Sequence, residues 1–378
     1  MRESTSHIIH LDLLKENLSK IQNKVDKSIL FMVKANAYGH GLLDIVKFSH
    51  SECEIENFGL ATIGEYLKLK ENGLLSPTFY IFSELNLSQY KSEYNSKVIP
   101  VISNVDDLEI FVSSKEFEDV PLCLKVNTGM NRLGFEESEL KNVIRLIKDN
   151  NRLEIFHLMS HFSCSSLSIE KDQRSKLQKE KFENIIEFFK SEGFKILNRS
   201  MANSGAIEQG FATEYEFVRP GIMVYGPSSL IERDKKCSWW DGKLISSLQC
   251  EVLSSKILKR GEPIGYGAHI LGKDSAVVIL SIGYGDGIRT DYQNTELVLN
   301  GVSGQILGRV NMDMLYFVTS TENIDKFRKG NVVKIWEDSI SQNFENIIKN
   351  SGSIPYEVLC QLSVRLPKRY EIKSSAGG

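Results

Sequence analysis

The chain has 378 residues, of which 41% are hydrophobic and 25% charged, proportions typical of a folded protein with enough residues for two domains. A formal net charge of −3 gives no electrostatic reason to expect binding to nucleic acid or to an anionic membrane surface. The first seven residues lack the apolar core of a signal peptide, no apolar run is long enough to span a bilayer, and the six cysteines lack the spacing of metal ligands. We expect a cytoplasmic protein with reduced cysteines, no metal, and no nucleic-acid or membrane partner.

Short apolar runs alternate with amphipathic stretches between residues 28 and 228. Eight of these runs have the length and composition of strands and lie at 29–33, 58–61, 79–82, 98–102, 122–126, 155–159, 199–202 and 217–224. The helical pattern between them is clearest at 137–147 and 176–189. This rhythm predicts an α/β fold, a closed (β/α)8 barrel of the TIM type, whose active site lies at the C-terminal ends of its strands. An open doubly wound sheet is the alternative, but no dinucleotide-binding glycine pattern follows the first run.

The composition and length of the apolar runs change after residue 227. Short runs that are rich in β-branched residues and separated by glycine lie at 248–253, 276–282, 296–299, 305–310, 314–318 and 332–335. They predict a mostly antiparallel β domain. We therefore predict two domains, an N-terminal barrel at 1–235 and a C-terminal β domain at 236–378. The apolar residues 7–11 are expected to add a strand to the barrel.

One lysine, Lys34, directly follows the first predicted barrel strand, in the segment MVKANAYGHG. At the end of a buried strand the amine lies in a partly dry environment, where desolvation lowers its pKa and frees a nucleophile suited to Schiff-base chemistry. A lysine that only extends to solvent is the structural alternative. Further polar residues and glycines at strand ends favour the catalytic interpretation: Tyr38 after the first strand, Arg132 after the fifth, His161 after the sixth, Asn203, Ser204 and Gly205 after the seventh, and Arg219, Gly221 and Ile222 in the eighth.

The residues around strands seven and eight form a candidate phosphate site. The hydroxyl of Ser204 and the backbone N–H groups of nearby glycines lie where barrels of this type commonly bind phosphate. A plain helix cap is the structural alternative for Ser204 and Gly205. A Schiff-base lysine and a phosphate site in one barrel mouth together predict pyridoxal 5′-phosphate as the cofactor.

Several separated motifs strengthen this interpretation: MVKANAYGHG, VNTGMNRLG, MSHF, ANSG, VRPGIMVYG, PIGYGAH, GYGDG, GRVNMD, YEVLC and RLPKRY. With them the sequence resembles the alanine racemase family over essentially its whole length. The resemblance implies an isomerase that interconverts L- and D-alanine by a two-base mechanism on a pyridoxal phosphate aldimine. It further implies D-alanine supply for cell-wall peptidoglycan and a homodimer whose active sites are shared between subunits.

The resemblance also implies a role for each matched residue. Lys34 would hold the cofactor as the internal aldimine and act as the base facing D-alanine. Tyr266, contributed by the β domain of the partner subunit, would be the base facing L-alanine. The residues that would hold the phosphate are Tyr38, Ser204, Gly221, Ile222 and Tyr356. Arg219 would contact the pyridine nitrogen, and His161 would contact Tyr266. Arg132 and the Met312 backbone would bind the substrate carboxylate, and Tyr284 and Tyr356 would line the entrance.

Four further positions are compared with the family pattern. Lys125 matches a lysine that is carbamylated in some members of the family, where the carbamate braces the arginine. Asn127 stands where many members have Asp, and Asn131 where many have Gly. Asn311 replaces a common cysteine. None of these departures removes a predicted catalytic group.

General chemistry supports the implied roles independently. Inverting a stereocentre needs a base on each face of the reacting carbon, so two bases from different parts of the fold are expected. A tyrosine needs cationic or hydrogen-bonding neighbours to act as a base at neutral pH, and His161 backed by Arg219 would supply them. Because arginine cannot take up the ring proton, Arg219 would keep the cofactor ring neutral and limit decarboxylation and transamination.

Three alternatives stay open from the sequence. A racemase acting on serine or on many amino acids would use the same groups. A decarboxylase on a related barrel would want a carboxylate in place of Arg219. A non-enzymatic protein that binds pyridoxal phosphate on a lone barrel would have no second domain and no counterpart of Tyr266.

Overall fold

The computed structural model describes residues 4–231 and 238–372. In chain order, strands β1 to β18 are Ser6–His10, Ser28–Met32, Asn57–Thr62, Thr78–Glu84, Val98–Ile102, Cys123–Lys125, Glu154–Met159, Lys195–Ser200, Phe217–Val218, Ser246–Leu258, Pro263–Ile264, His269–Ile270, Ser275–Leu280, Glu296–Leu299, Val302–Ile306, Leu315–Thr319, Val332–Trp336 and Lys368–Glu371. Helical segments α1 to α10 are Leu11–Val25, Lys34–Tyr38, Leu42–Cys53, Ile63–Glu71, Val105–Ser113, Leu140–Asp149, Arg174–Ser191, Ser204–Glu208, Ser341–Ser351 and Pro355–Cys360. The short segment α2 is a left-handed turn and not a right-handed α-helix. Short 3-10 helices lie at Lys91–Glu93, Lys115–Phe117, Glu137–Glu139, Ile222–Tyr225, Tyr284–Asp286, Thr290–Tyr292, Thr321–Lys326 and Asp338–Ile340.

The described chain folds into two compact units. The barrel unit comprises residues 15–37 and 42–242, and the β unit comprises residues 1–14, 38–41 and 243–378, as far as these are described. The domain boundary predicted at 235/236 lies outside the described residues, so the domain limits stay a prediction.

The barrel unit contains one sheet of eight parallel strands in the order β9-β2-β3-β4-β5-β6-β7-β8. A backbone bridge between Asn203 and Arg219 joins the chain beyond β8 to the chain beyond β9, so the sheet nearly closes on itself. Strands such as β5 are buried over their whole length, as parallel strands covered on both faces require. The predicted (β/α)8 barrel is confirmed.

The eighth barrel strand is shorter than predicted. The run 217–224 forms strand only at Phe217–Val218 and continues as a 3-10 helix from Ile222. Pro220 has no N–H to donate to a ladder, and Gly221, with φ −123° and ψ −101°, leaves the extended conformation. Arg219 and Gly221 therefore follow the strand instead of belonging to it.

The amphipathic stretches of the sequence form the expected helices. The pattern at 137–147 becomes a 3-10 turn followed by α6, and the pattern at 176–189 lies inside α7. The buried residues of α7 recur every three or four positions and form one continuous face: Ser175, Gln178, Phe182, Ile185, Ile186 and Phe189. No helix in the described ranges combines the length and the apolar composition that crossing a membrane requires.

The β unit has a sheet with the strand order β14-β15-β16-β13-β10-β1-β18, and β17 pairs with β10. All of these pairs are antiparallel except β1 with β18, which confirms the predicted mostly antiparallel fold. The prediction that residues 7–11 add a strand to the barrel is wrong, because β1 pairs with β10 and β18. A fully buried run of five residues specifies a strand but not its partner.

Candidate active site

Lys34 begins a left-handed turn just after strand β2. The four residues 35–38 have φ angles between 52° and 57°. This conformation costs a residue with a Cβ roughly 1–2 kcal/mol, so four in succession need support from neighbouring groups. The left-handed conformation of this segment is a finding of the structure.

Two side chains hold the backbone of this left-handed turn. The carboxylate of Glu65 accepts the N–H of Ala35 at 2.7 Å through one oxygen and the N–H of Ala61 at 2.7 Å through the other. The side-chain oxygen of Asn36 accepts the N–H of Leu42 at 2.9 Å. The backbone from which Lys34 projects is therefore constrained from both sides of the turn.

Cationic side chains gather around His161. Burial and then four cations hold the pKa of His161 well below its usual value; the cations are Arg219, Lys125, Arg132 and Lys34. Burial, followed by three of the same cations, also lowers the pKa of Lys125 to about 8. His161 is consequently neutral, and the cluster as a whole suits an anionic ligand.

The guanidinium of Arg219 is buried and held from several sides. Its NH1 nitrogen donates to the hydroxyl of Ser200, and its NH2 nitrogen donates to the carbonyl of Ser160 and, at 3.4 Å, to that of Met201. NH2 also lies 3.5 Å from Nδ1 of His161. Burial lowers the pKa of the guanidinium to about 10, so it stays protonated at neutral pH. Among the described residues neither Nε nor the second N–H of NH1 has a hydrogen-bond partner, which leaves donors for a ligand.

Ser204 and Gly221 meet beyond the ends of β8 and β9, as predicted. The hydroxyl of Ser204 accepts the N–H of Gly221 at 2.9 Å, and Ile222 follows at the start of a 3-10 helix. A Cβ on Gly205 would lie 2.3 Å from the carbonyl oxygen of Ser165, so the backbone closes too tightly there for a side chain. The hydroxyl and N–H groups of the candidate phosphate site are thus adjacent.

The β unit holds the other predicted site residues in separate places. The rings of Tyr38 and Tyr356 lie 5.8 Å apart, and burial followed by Tyr356 raises the pKa of the Tyr38 phenol. Tyr284 lies beside the segment that carries Met312, because its N–H donates to the carbonyl of Asn311 at 2.9 Å. Met312 and Tyr284 are both exposed.

Tyr266 lies at the tip of the hairpin between β11 and β12 and is 72% exposed. Gly265 and Gly267 on either side have φ angles of 61° and 84°. A Cβ on Gly265 would lie 2.8 Å from the ring of Tyr316. The hairpin therefore needs its glycines. It places Tyr266 at an exposed position where packing does not account for a tyrosine.

Asn127 organises the turn that leads to Arg132, although the sequence marked it only as a departure from the family pattern. Its side-chain oxygen accepts the N–H groups of Gly129 and Asn131, both at 3.0 Å. Its Nδ2 donates to Oδ1 of Asn131 at 2.8 Å and to Oε1 of Glu136 at 2.5 Å. Asn131 has a φ of 54°, which asparagine tolerates better than most residues. The two departures thus support one another.

Gln178 is a further residue that sequence reasoning missed. From the buried face of α7 its amide donates to the carbonyl of His161 at 3.0 Å and to the hydroxyl of Thr128 at 3.4 Å. Its carbonyl oxygen accepts the N–H of Ser163 at 3.0 Å. A polar residue on the apolar face of a predicted helix was the available signal. Gln178 links the loop of His161 to the loop that precedes Arg132.

These groups fit pyridoxal phosphate. A phosphorylated pyridine aldehyde needs a nucleophilic amine, donors for its phosphate and a donor for its ring nitrogen. Lys34 offers the amine, the Ser204 hydroxyl, which accepts the N–H of Gly221, can donate its own proton to a phosphate, and Nε of Arg219 is available to the ring. The surrounding cations suit the negative charge of the group.

Comparisons with known proteins agree with one another. The family model for the N-terminal domain of alanine racemase matches residues 9–229, and the model for its C-terminal domain matches residues 245–370. The alanine racemase of Pasteurella multocida (strain Pm70) is 31% identical over 377 residues, which cover 98% of this chain and 99% of that protein. The solved structure of alanine racemase from Acinetobacter baumannii is 26% identical, with 98% and 100% of the two chains covered and a TM-score of 0.85. The alanine racemase of Bartonella henselae with covalently bound pyridoxal phosphate shares the fold, with 24% identity, 97% and 99% coverage and a TM-score of 0.83. The chain belongs to the alanine racemase family.

Proposed function

We propose that this protein interconverts L- and D-alanine with pyridoxal phosphate as its cofactor and with Lys34 and Tyr266 as its two bases. Membership of the alanine racemase family supplies the reaction and the cofactor. The observation that carries the residue assignment is the cluster in the barrel unit, where the charges of Lys34 and Arg219 both help to keep a half-buried His161 neutral. A site that acts on serine is not favoured, because the similar proteins are alanine racemases.

Lys34 would bind the cofactor covalently through its amine. Tyr38, Ser204, Gly221, Ile222 and Tyr356 would hold the phosphate, and Nε of Arg219 would donate to the pyridine nitrogen. Bound pyridoxal phosphate supplies an electron-withdrawing ring that makes the Cα proton of alanine removable. Because Arg219 stays protonated and cannot accept the ring proton, the withdrawal is moderate and side reactions are limited.

Arg132 would bind the substrate carboxylate, together with the backbone of Met312. Its position depends on the turn that Asn127 fixes through four hydrogen bonds. A carboxylate bound by a held arginine cannot rotate freely, so the Cα proton stays directed at one base.

The two bases would exchange protons at defined atoms. Lys34 uses its Nζ on one face of Cα, and Tyr266 uses its phenolic oxygen on the other. His161 accepts at Nδ1 from Arg219, so its own proton lies on Nε2 and can donate to the Tyr266 oxygen. This donation stabilises a phenolate, which is the form of tyrosine that acts as a base.

Lys125 would become carbamylated. Its amine, with a pKa lowered to about 8, is uncharged in a larger fraction of molecules than an ordinary lysine. An uncharged amine attacks carbon dioxide, and the product is an anionic carbamate with release of a proton. The modification would replace one of four clustered cations by an anion that braces Arg132.

We place Tyr266 in the active site of a partner subunit within a cytoplasmic homodimer that supplies D-alanine for peptidoglycan. The family supports the dimer, and the exposure of Tyr266 (72%) and Met312 (53%) in the described chain leaves both side chains accessible to a second copy. A two-fold arrangement would form two equivalent sites.

The direct test is D-alanine formation from L-alanine by the purified protein reconstituted with pyridoxal phosphate, with L-serine in parallel. We expect alanine to react with the higher kcat/KM. Lys34→Ala should abolish the reaction, whereas Lys68→Ala, which removes an exposed lysine of α4, should leave it unchanged. An active Lys34→Ala protein, or a wild type that forms no D-alanine, would refute the proposal.

A further inference from the structure

A short chain of polar side chains leads from Arg219 into the barrel interior. Ser200, the last residue of β8, accepts a hydrogen bond from NH1 of Arg219, and its Oγ lies 2.7 Å from Nε2 of His157 on β7. Ser200 and His157 are completely buried. The imidazole is confined by the ring of Tyr80, at 5.6 Å edge-on, and by that of Phe217 at 5.1 Å. The site residues predicted from the sequence include neither Ser200 nor His157.

The direction of these hydrogen bonds follows from the groups themselves. Arg219 only donates, so the Ser200 oxygen accepts from it. If His157 also donated to Ser200, the Ser200 proton and Nδ1 of His157 would both lack a partner among the described residues. If Ser200 donates to Nε2, only Nδ1 lacks one. Buried polar groups are rarely left unpaired, so the second arrangement is the better one.

His157 is the last group in this row of hydrogen-bonded side chains, and it is neutral. Burial, with a smaller effect from Arg219, lowers its pKa to about 3, so the ring is uncharged at neutral pH. A carboxylate in the same place would neutralise the guanidinium, whereas an imidazole accepts a hydrogen bond without adding charge. The orientation of Arg219 is fixed while its full positive charge is kept.

We propose that Ser200 and His157 are positioning residues for racemisation, which hold the Arg219 guanidinium so that its Nε is directed at the pyridine nitrogen of the cofactor. This rests on the proposed contact between Arg219 and the cofactor ring. The carbonyl of Ser160 holds NH2, and Ser200 holds NH1, so the two terminal nitrogens are fixed independently. Loss of one anchor lets the guanidinium rotate about its remaining contacts.

The β unit contains a matched pair for comparison. There Nε2 of His10 lies 2.8 Å from the hydroxyl of Ser247, and both residues are buried. Ser247→Ala removes the same kind of contact as Ser200→Ala, in a place to which no site residue is assigned. A loss of cofactor affinity or kcat that is common to both variants indicates a structural effect. A loss of these quantities in Ser200→Ala alone indicates that Arg219 is no longer positioned.

The experiment measures the affinity of the apoprotein for pyridoxal phosphate, the pH dependence of the holoprotein absorption band, and kcat and KM for L-alanine. Ser200→Ala should weaken cofactor binding on the order of 10-fold, because a hydrogen bond to a charged donor is lost, and should shift the pH dependence of the band. kcat should fall with little change in KM, since Arg219 does not contact the substrate. Ser200→Thr, which keeps the hydroxyl, should restore all three quantities, and Ser247→Ala should leave them unchanged.

His157→Leu should produce a smaller loss, and the double variant with Ser200→Ala should be no worse than Ser200→Ala alone, because the two act as one unit. Wild-type affinity and absorption in Ser200→Ala, or equal changes in Ser247→Ala, would overturn the proposal. If Ser200→Ala does not fold, Ser200→Cys replaces a strong acceptor by a weak one, and unchanged cofactor affinity in that variant overturns it equally. Arg219→Lys tests the proposed contact of Arg219 with the ring separately from the positioning role of Ser200. If Arg219→Lys and Ser200→Ala both leave cofactor affinity and absorption unchanged, the proposed contact with the ring is wrong. If only Ser200→Ala leaves them unchanged, the contact stands and the positioning role fails.

Discussion

Asn127→Asp is a sharp test of how the substrate-binding arginine is held. In the structure Nδ2 of Asn127 donates to Oδ1 of Asn131 and to Oε1 of Glu136. The substitution changes the shape of the side chain very little but replaces this donor by a carboxylate oxygen. Two attractive contacts become repulsive ones, at 2.8 Å and 2.5 Å between the same atoms. The turn that leads to Arg132 should loosen as a result.

The size of the effect follows from burial and screening. Asn127 is 3% exposed, so each of the two lost hydrogen bonds should count for about 1 kcal/mol. Glu136 is exposed, and solvent therefore limits the charge repulsion to about 1 kcal/mol. We expect the free energy of unfolding of the barrel unit to fall by about 3 kcal/mol at pH 7. Because the introduced carboxyl would be buried beside Glu136, its pKa in the folded state would be raised, and the loss should shrink as the pH falls and this carboxyl becomes protonated.

Thermal unfolding of the apoprotein and KM for L-alanine measure the two consequences. Asn127→Asp should unfold at a lower temperature and show a KM raised several-fold, with a smaller change in kcat. Glu136→Gln alone is the matched control and should be nearly neutral, since the amide oxygen of the introduced glutamine can still accept from Asn127. In the double variant the amide nitrogen of that glutamine can donate to the introduced carboxylate, so most of the stability and the KM should return. Wild-type stability in Asn127→Asp, or no recovery in the double variant, would show that Asn127 does not fix this turn.

Four further predictions concern the proposed mechanism. Borohydride reduction of the holoprotein should attach the cofactor permanently to Lys34, and a label found by peptide mass spectrometry on another lysine would contradict the assignment. Arg219→Glu should let the ring nitrogen hold a proton, slow racemisation and produce a persistent long-wavelength absorption band; normal racemisation without the band would refute the electron-withdrawal argument. A mixture of Lys34→Ala and Tyr266→Ala proteins should recover up to about half of the wild-type activity per mixed dimer, since one of its two sites is intact, whereas no recovery despite proven subunit exchange would mean that Tyr266 serves its own chain. In buffer freed of carbon dioxide Lys125 carries no carbamate, and burial and then cations lower the pKa of its amine to about 8, so the folded apoprotein binds that proton less tightly than the unfolded chain. Its thermal stability should then rise with pH from 8 toward ~10; Lys125→Met should remove this rise, and an unchanged rise would assign it to another group.

The residues at the strand ends were predictable because all strands of a parallel barrel direct their C-terminal ends to one side. That rule brought Lys34, His161 and Ser204 into consideration from the sequence alone. His157 and Ser200 were not predictable, since their contact forms across neighbouring strands inside the barrel, and a polar residue within an apolar run carries no indication of its partner. Periodicity identifies which face is buried but not which buried groups touch.

The errors in the fold have similar causes. The apolar run at 217–224 predicts one strand, but Pro220 and Gly221 end the hydrogen-bonded strand after Val218. The run at 305–310 overlaps β15 by only two residues, because β15 occupies Val302–Ile306 and includes Gly304, whose added Cβ would lie 2.4 Å from the ring of Phe317. A glycine required by close packing is indistinguishable in the sequence from a glycine that ends a strand.

The cationic cluster around His161 shows why this site is poorly optimised for stability. Four like charges near a half-buried imidazole destabilise the folded apoprotein, and the pKa of Lys125, which is lowered by burial and then by three of these cations, reflects part of that cost. An anionic phosphate and a substrate carboxylate would offset the repulsion, so the groups that weaken the apoprotein are the same groups that select an anionic ligand. Carbamylation of Lys125 would act in the same direction before any ligand binds. Apoprotein stability, cofactor affinity and the state of Lys125 should therefore change together, and a variant that lacks the Lys125 charge should gain less stability from added pyridoxal phosphate than the wild type does.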